Sequence, residues 1–138
     1  MKKLLLLVVF GVLFFGCDKS SDNDPDPDPT PTENYTVTYS FISVGLDTLE
    51  YIRYLNADGA EITITDTNEY VQSFEQPANK INAKISLRGA TGTMITAYAD
   101  YSLKVTDKND AIIYIKESST DGPEVNFSWS AEYKDTEN

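Results

Sequence analysis

From Tyr35 to Tyr133 apolar and polar residues alternate with a period of two. Ile81, Ala83, Ile85 and Leu87 are separated by Asn82, Lys84 and Ser86, and Tyr35, Val37, Tyr39 and Phe41 repeat the pattern against Thr36, Thr38 and Ser40. Successive side chains of a strand point to opposite faces, so such a pattern buries one face and wets the other. The same alternation predicts strands over Ala60–Ile64, over Ile95–Val105 and over Val125–Tyr133. Leu49–Leu55 carries apolar residues on both faces. Ala111–Ile115 is apolar throughout and reads as a central strand, and Glu69–Glu75 reads as an edge strand. No stretch of this region shows a convincing helical period.

Turn residues divide these runs. Asn56-Ala57-Asp58-Gly59, Asp107-Lys108-Asn109-Asp110 and Asp121-Gly122-Pro123 supply Gly, Asn and Asp, which tolerate left-handed backbone. Gly89-Ala90-Thr91-Gly92 reads as a hairpin loop. Seven to eight short strands in about 104 residues predict an all-β, antiparallel, immunoglobulin-like β-sandwich over 35–138, with a small six-stranded barrel as the alternative. Tyr39, Phe127 and Trp129 are the expected large core residues. With one cysteine in the chain no internal disulfide can form, so the core must supply the stability.

The segments YTVTYSF, EYIRYLNADG, EYVQSFEQPANKINAKISL and MITAYADYSLKV occur in an order that resembles the MmpS-like lipoproteins. Those are small anchored β-sandwich domains of bacterial envelopes. The resemblance covers roughly residues 35–117 and implies an envelope accessory or ligand-binding role without catalytic residues.

The N-terminus reads as an address. Met1-Lys2-Lys3 precedes 12 residues, Leu4–Phe15, of which Gly11 alone is not strongly apolar. A bilayer-spanning helix needs about 20, so the run has the length of a signal-peptide core. Leu13-Phe14-Phe15-Gly16-Cys17 resembles a bacterial lipobox, with Phe14 where leucine is commonest. Residues 1–16 are expected to be removed and Cys17 to carry the lipid that anchors the chain to a membrane. Cutting there leaves 9 basic and 22 acidic residues, net −13. Residues 17–34 form a spacer with prolines at 25, 27, 29 and 31. Alternating Pro and Asp favours an extended, self-repelling segment of about 50 Å, at about 3.1 Å per residue. Its aspartates make a poor Ca²⁺ site, because the prolines hold them apart whereas Ca²⁺ needs converging oxygens. The acidic cluster behind Cys17 resembles the export signal of Bacteroidetes-type surface lipoproteins, which implies an outer-membrane, cell-surface location. An enteric rule, Asp directly after the cysteine, points instead to the inner membrane.

Composition narrows the chemistry. With no histidine there is no His-based triad, His-ligated zinc or His proton shuttle. A net charge of −11 without a basic stripe argues against nucleic acid. There is no glycine-rich phosphate loop, and the 22 acidic residues make chance carboxylate pairs inevitable in a chain with little room for a cleft. Asp107, Asn109 and Asp110 lack the glycine and distal glutamate of a Ca²⁺ loop and read as a solvated hairpin. No cofactor, metal or catalytic residue is expected. Nine tyrosines stand out, and Tyr54, Tyr98 and Tyr114 are candidate exposed aromatics for stacking on sugars. Asp47-Thr48-Leu49 matches a loose Bacteroidetes O-glycosylation pattern at Thr48. The expected function is a non-enzymatic outer-membrane lipoprotein that presents a binding or adhesion module to glycan or protein ligands. The alternative is a periplasm-facing accessory subunit of a membrane transport complex.

Overall fold

The computed structural model describes residues 33–135. Cys17, the apolar leader and residues 17–32 of the expected spacer lie outside the described residues, and Asn34, the last spacer residue, already opens the first strand. Eight strands follow in chain order: β1 (Asn34–Val44), β2 (Leu46–Leu55), β3 (Glu61–Ile64), β4 (Glu69–Pro77), β5 (Asn82–Thr91), β6 (Tyr98–Thr106), β7 (Ile112–Asp121) and β8 (Asn126–Lys134). A 3₁₀ turn, Ala78–Lys80, joins β4 to β5. The strands form two antiparallel four-stranded sheets, β4-β1-β6-β7 and β3-β2-β5-β8. This is the two-sheet sandwich expected, with eight strands; two open sheets exclude the six-stranded barrel.

The core lies between the sheets. Val37, Tyr39 and Phe41 of β1 face Ile85 and Leu87 of β5, with Leu103 and Val105 of β6 beside them, all fully buried. Each such aliphatic or aromatic side chain contributes roughly 1.5–3 kcal/mol through burial. Tyr39 packs on Tyr54 with ring centroids 5.1 Å apart, and Tyr101 packs on the half-buried Trp129 at 5.1 Å.

The fold has an internal pseudo-two-fold. Advancing each strand by four, cyclically, turns β4-β1-β6-β7 into β8-β5-β2-β3, the other sheet read backwards. Equivalent loops share their geometry. In the β2–β3 hairpin the Asn56 side-chain oxygen accepts the backbone N–H groups of Asp58 and Ala60 at 3.0 and 2.9 Å. In the β6–β7 hairpin a carboxylate oxygen of Asp107 accepts those of Asn109 and Ala111 at 2.8 Å each. Both turns place their fourth residue at positive φ, Gly59 at 77° and Asp110 at 61°. Buried hydroxyls also correspond. Ser43 donates to the Asn68 carbonyl at 3.2 Å, and Thr91 donates to the Gly122 carbonyl at 2.7 Å and accepts the Val125 N–H at 2.8 Å.

Three local expectations are corrected. Ile95 is 88% exposed and lies in the loop before β6, because the chain turns where the Ala97 N–H donates to the Met94 carbonyl. Ala111–Ile115 is not central: β7 pairs with β6 alone, leaving Ile112, Ile113 and Ile115 exposed while Tyr114 packs inward. Gly89–Thr91 belong to β5 rather than to a loop, and Gly89 pairs with Phe127. A Cβ at Gly89 would stand 2.5 Å from the Thr48 carbonyl oxygen and 2.7 Å from the Phe127 ring. Only glycine lets the irregular β2 and the Phe127 ring approach β5 this closely. The edge position expected for Glu69–Glu75 is the position of β4.

Candidate functional site

The irregularity in β2 decides which tyrosines face solvent. Leu49 pairs with Gly89, but Tyr51 pairs with Arg88, so Glu50 is an extra residue in β2. A bulge of this kind shifts the alternation by one. Ile52 and Tyr54 therefore point into the core, opposite Leu87 and Ile85, and Tyr51 and Arg53 point outward.

This corrects the candidate aromatics. Tyr54 is 7% exposed, and its hydroxyl accepts a 2.6 Å hydrogen bond from Tyr70. Burial and the Tyr54 hydroxyl push the Tyr70 phenol above the ordinary tyrosine range. Tyr114 is half-buried and points inward, its ring 5.0 Å from Tyr133 across the seam between β7 and β8. Tyr98 is half-buried on the outer face of its sheet, between Val44 and Asp121. The three belong to different surfaces and form no common patch. Thr48 is exposed, as its modification requires, and its hydroxyl donates to the Asp47 carboxylate at 3.1 Å. Cys17 lies outside the described residues. The Asp107 carboxylate is occupied by its own turn, whose N–H groups hold its pKa below the usual range.

Two outward surfaces remain, and the pseudo-two-fold makes them comparable. On sheet β4-β1-β6-β7 a shallow depression of about 530 Å³ is lined by Ser40, Asp100, Ser102, Glu117 and Ser119 among others. Its chemistry is hydroxyl and carboxylate. On sheet β3-β2-β5-β8 the equivalent positions differ in charge. The registers place Lys84 where β1 has Thr36, and Arg88 where β1 has Ser40. Arg53 lies opposite Ser86, and Tyr51 lies opposite Arg88. Both arginines of the chain thus stand on this one face.

The local contacts leave these cations available. The Arg53 guanidinium sits 4.4 Å above the Tyr51 ring and makes no ion pair among the described residues. Arg88 pairs with Glu50 at 3.1 Å, with both side chains about half exposed, a contact worth little in water. Beside this face, a second depression of about 270 Å³ is lined by Lys84, Tyr114, Lys116, Ser130 and Glu132 among others. Lys116 rises from β7, lies over the Trp129 ring and donates to the Ser130 carbonyl at 2.9 Å.

The sequence does not mark Tyr51 and Arg53 as candidates. Their i, i+2 spacing was visible, but the extra residue at Glu50 hid which face they share. Among the described residues no group of three acidic, His or Cys side chains is placed to hold a metal ion, and no helix is long and apolar enough to cross a membrane. No protein-family model matches this chain, and no curated protein matches it.

Proposed function

We propose that this chain is a non-enzymatic, lipid-anchored outer-membrane protein that presents its β-sandwich at the cell surface as a binding module for glycan or protein ligands. The observation that carries the reading is the outer face of the β2–β5 pair, where a continuous ladder presents Tyr51, Arg53 and Arg88 beside Ser86. Side chains held on paired strands meet a ligand with little ordering cost. The order of the chain supports the remainder: an apolar leader, Cys17 as acyl acceptor, an acidic proline-rich spacer, then the platform. An acidic domain on such a spacer is repelled by an anionic membrane surface, which favours capture at a distance from it.

The location is tested by treating intact cells carrying the full chain with a protease that cannot cross the outer membrane. Loss of the 35–138 region on an immunoblot, with periplasmic controls intact, supports surface display. Protection until lysis refutes it. Binding is tested with the full chain in detergent on immobilised polysaccharides, and by cross-linking on intact cells. Retention by a polysaccharide, or one reproducible cross-linked protein partner, supports the module. Failure of both refutes it.

A further inference from the structure

We infer that the outer face of sheet β3-β2-β5-β8 is a binding site for an anionic polysaccharide, one bearing carboxylate or sulfate groups. The inference rests on the binding-module reading and names its ligand and its surface.

The first argument is spacing. Arg53 is opposite Ser86, two residues from Arg88 on one side and from Lys84 on the other. Lys84, Arg53 and Arg88 therefore form a zigzag across the β2–β5 pair, with diagonal neighbours about 7–8 Å apart. The row through Arg53 and Ser86 continues to Ser130, whose carbonyl holds Lys116. Three cations thus lie together on the β2–β5 pair, and Lys116 reaches the β8 edge from β7 of the other sheet, with Glu132 opposite Lys84 as the carboxylate between them. A regular row of cations matches a polymer that repeats its negative charge.

The second argument is side-chain chemistry. Guanidinium groups take carboxylate or sulfate oxygens through two parallel N–H donors. Tyr51, capped by Arg53, offers a flat apolar surface for a sugar ring, while Ser86 and Ser130 supply hydroxyls for the ring substituents. The weak Arg88–Glu50 pair can be exchanged for a ligand anion at small cost.

The third argument ranks competitors. Tyr and Arg also anchor protein interfaces, but the repeat of cations along the strand pair favours a ligand that repeats its charge, and a protein partner is the outcome the cross-linking would report. A lipid surface would need apolar side chains to insert, which Arg53, Ser86 and Arg88 do not supply. Single-stranded nucleic acid would need successive aromatic platforms for its bases, and among the described residues this face offers one, Tyr51. The opposite sheet keeps Lys104 at the place of Arg53 but has Thr36 and Ser40 at the places of Lys84 and Arg88, with Asp100 and Glu117 nearby, so a polyanion is drawn more strongly to the first face.

The test measures retention of the full chain in detergent on polygalacturonate, chondroitin sulfate and neutral dextran, at low and high salt. Anionic vesicles run in parallel. The expected result is retention on the two acidic polymers, weakened at high salt. Arg53→Gln/Arg88→Gln should weaken it at least about tenfold, Lys84→Gln less, and Lys104→Gln on the other sheet not at all. Circular dichroism establishes that each variant is folded. Acidic-polymer binding that survives the double substitution, or equal binding to dextran, overturns the inference but leaves the module reading standing. Arginine-dependent binding to vesicles and not to polysaccharide overturns the ligand class. No retention on any polymer overturns the inference, and the module reading then depends on the cross-linking result alone.

Discussion

Tyr39→Phe isolates one hydroxyl that joins the two sheets. The ladder between β2 and β5 ends at the Tyr54–Ile85 pair. Beyond it, the Tyr39 hydroxyl, reaching across from β1, donates to the Leu55 carbonyl at 2.9 Å and accepts the Lys84 N–H at 3.2 Å. The hydroxyl stands where a direct ladder bond would otherwise lie. Phenylalanine fills nearly the same volume but leaves both backbone groups without this partner. Each unsatisfied buried group costs about 1–3 kcal/mol, and both sit at a ladder end that water can partly reach, so a loss of about 2–4 kcal/mol is expected. For a domain of this size that lowers Tm by roughly 8–16 °C. Urea unfolding followed by Trp129 fluorescence measures it directly.

The same variant has a pH signature. Burial pushes the Tyr39 phenol up to about 12. In the unfolded chain it ionises near pH 10. Between those values the native state binds more protons than the unfolded one, so stability is full below pH 10 and falls as pH rises towards 12, by about 2–3 kcal/mol. Phenylalanine has no proton to lose, so the stability gap between parent and variant should narrow across that window. The alkaline loss caused by Tyr70, also raised, remains in both. A cost below about 0.5 kcal/mol at neutral pH, with a gap that does not change above pH 10, would refute the role given to this hydroxyl.

Three further outcomes follow from the geometry. Gly89→Ala drives a Cβ into a backbone carbonyl and the Phe127 ring, and urea midpoints should show a loss of about 2–3 kcal/mol. Tyr54→Ala should cost about 3–5 kcal/mol and Tyr51→Ala less than about 1 kcal/mol, because the bulge buries the first ring and turns the second outward. Equal costs in thermal melts would refute the shifted alternation. Asp107→Asn should lower neutral-pH stability only modestly: an amide oxygen can still cap the turn, as Asn56 does in the equivalent hairpin, but the charge is lost. Because the Asp107 pKa is held low, its contribution is present above the ordinary carboxylate range and is lost as pH falls through the lowered value. The variant's acid unfolding profile should therefore be flatter.

The alternation that runs through the chain carries the architecture, because its period does not depend on what a strand pairs with. Val37, Tyr39 and Phe41, and Ala83, Ile85 and Leu87, are buried where that period puts them. It fails where geometry breaks the period. Ile95 continues the pattern of β6 in sequence, yet lies in a loop, because nothing in the alternation registers a turn between Met94 and Ala97. Glu50 adds one residue to β2 and shifts the alternation, so Tyr54, a surface candidate in the sequence, is a core residue and Tyr51 is the outward one. Ala111–Ile115 looked central because apolar residues fill both faces, but neighbouring strands, not composition, decide whether a strand is an edge. The cationic face was illegible for the same reason: Arg53, Lys84 and Arg88 are up to 35 residues apart, and only the β2–β5 register makes them neighbours.

The pseudo-two-fold separates what folding demands from what it leaves open. Where the backbone needs a side chain, the two halves agree in chemistry: Asn56 and Asp107 cap equivalent hairpins, and Ser43 and Thr91 bury equivalent hydroxyls. Inward positions of β1 and β5 are apolar in both halves where they meet the centre of the core, Val37 matching Ile85 and Tyr39 matching Leu87, whereas Phe41 answers to Gly89. Outward positions carry no such demand, since either a hydroxyl or a cation is tolerated on a solvated strand face. Here the halves diverge in part: Arg53 answers to Lys104, but Thr36 stands against Lys84 and Ser40 against Arg88. A charge row that the fold does not require, placed on one of two equivalent faces, is a feature whose cause lies outside folding. That is the physical ground for looking to Tyr51, Arg53 and Arg88, rather than to the buried tyrosines, for what this protein binds.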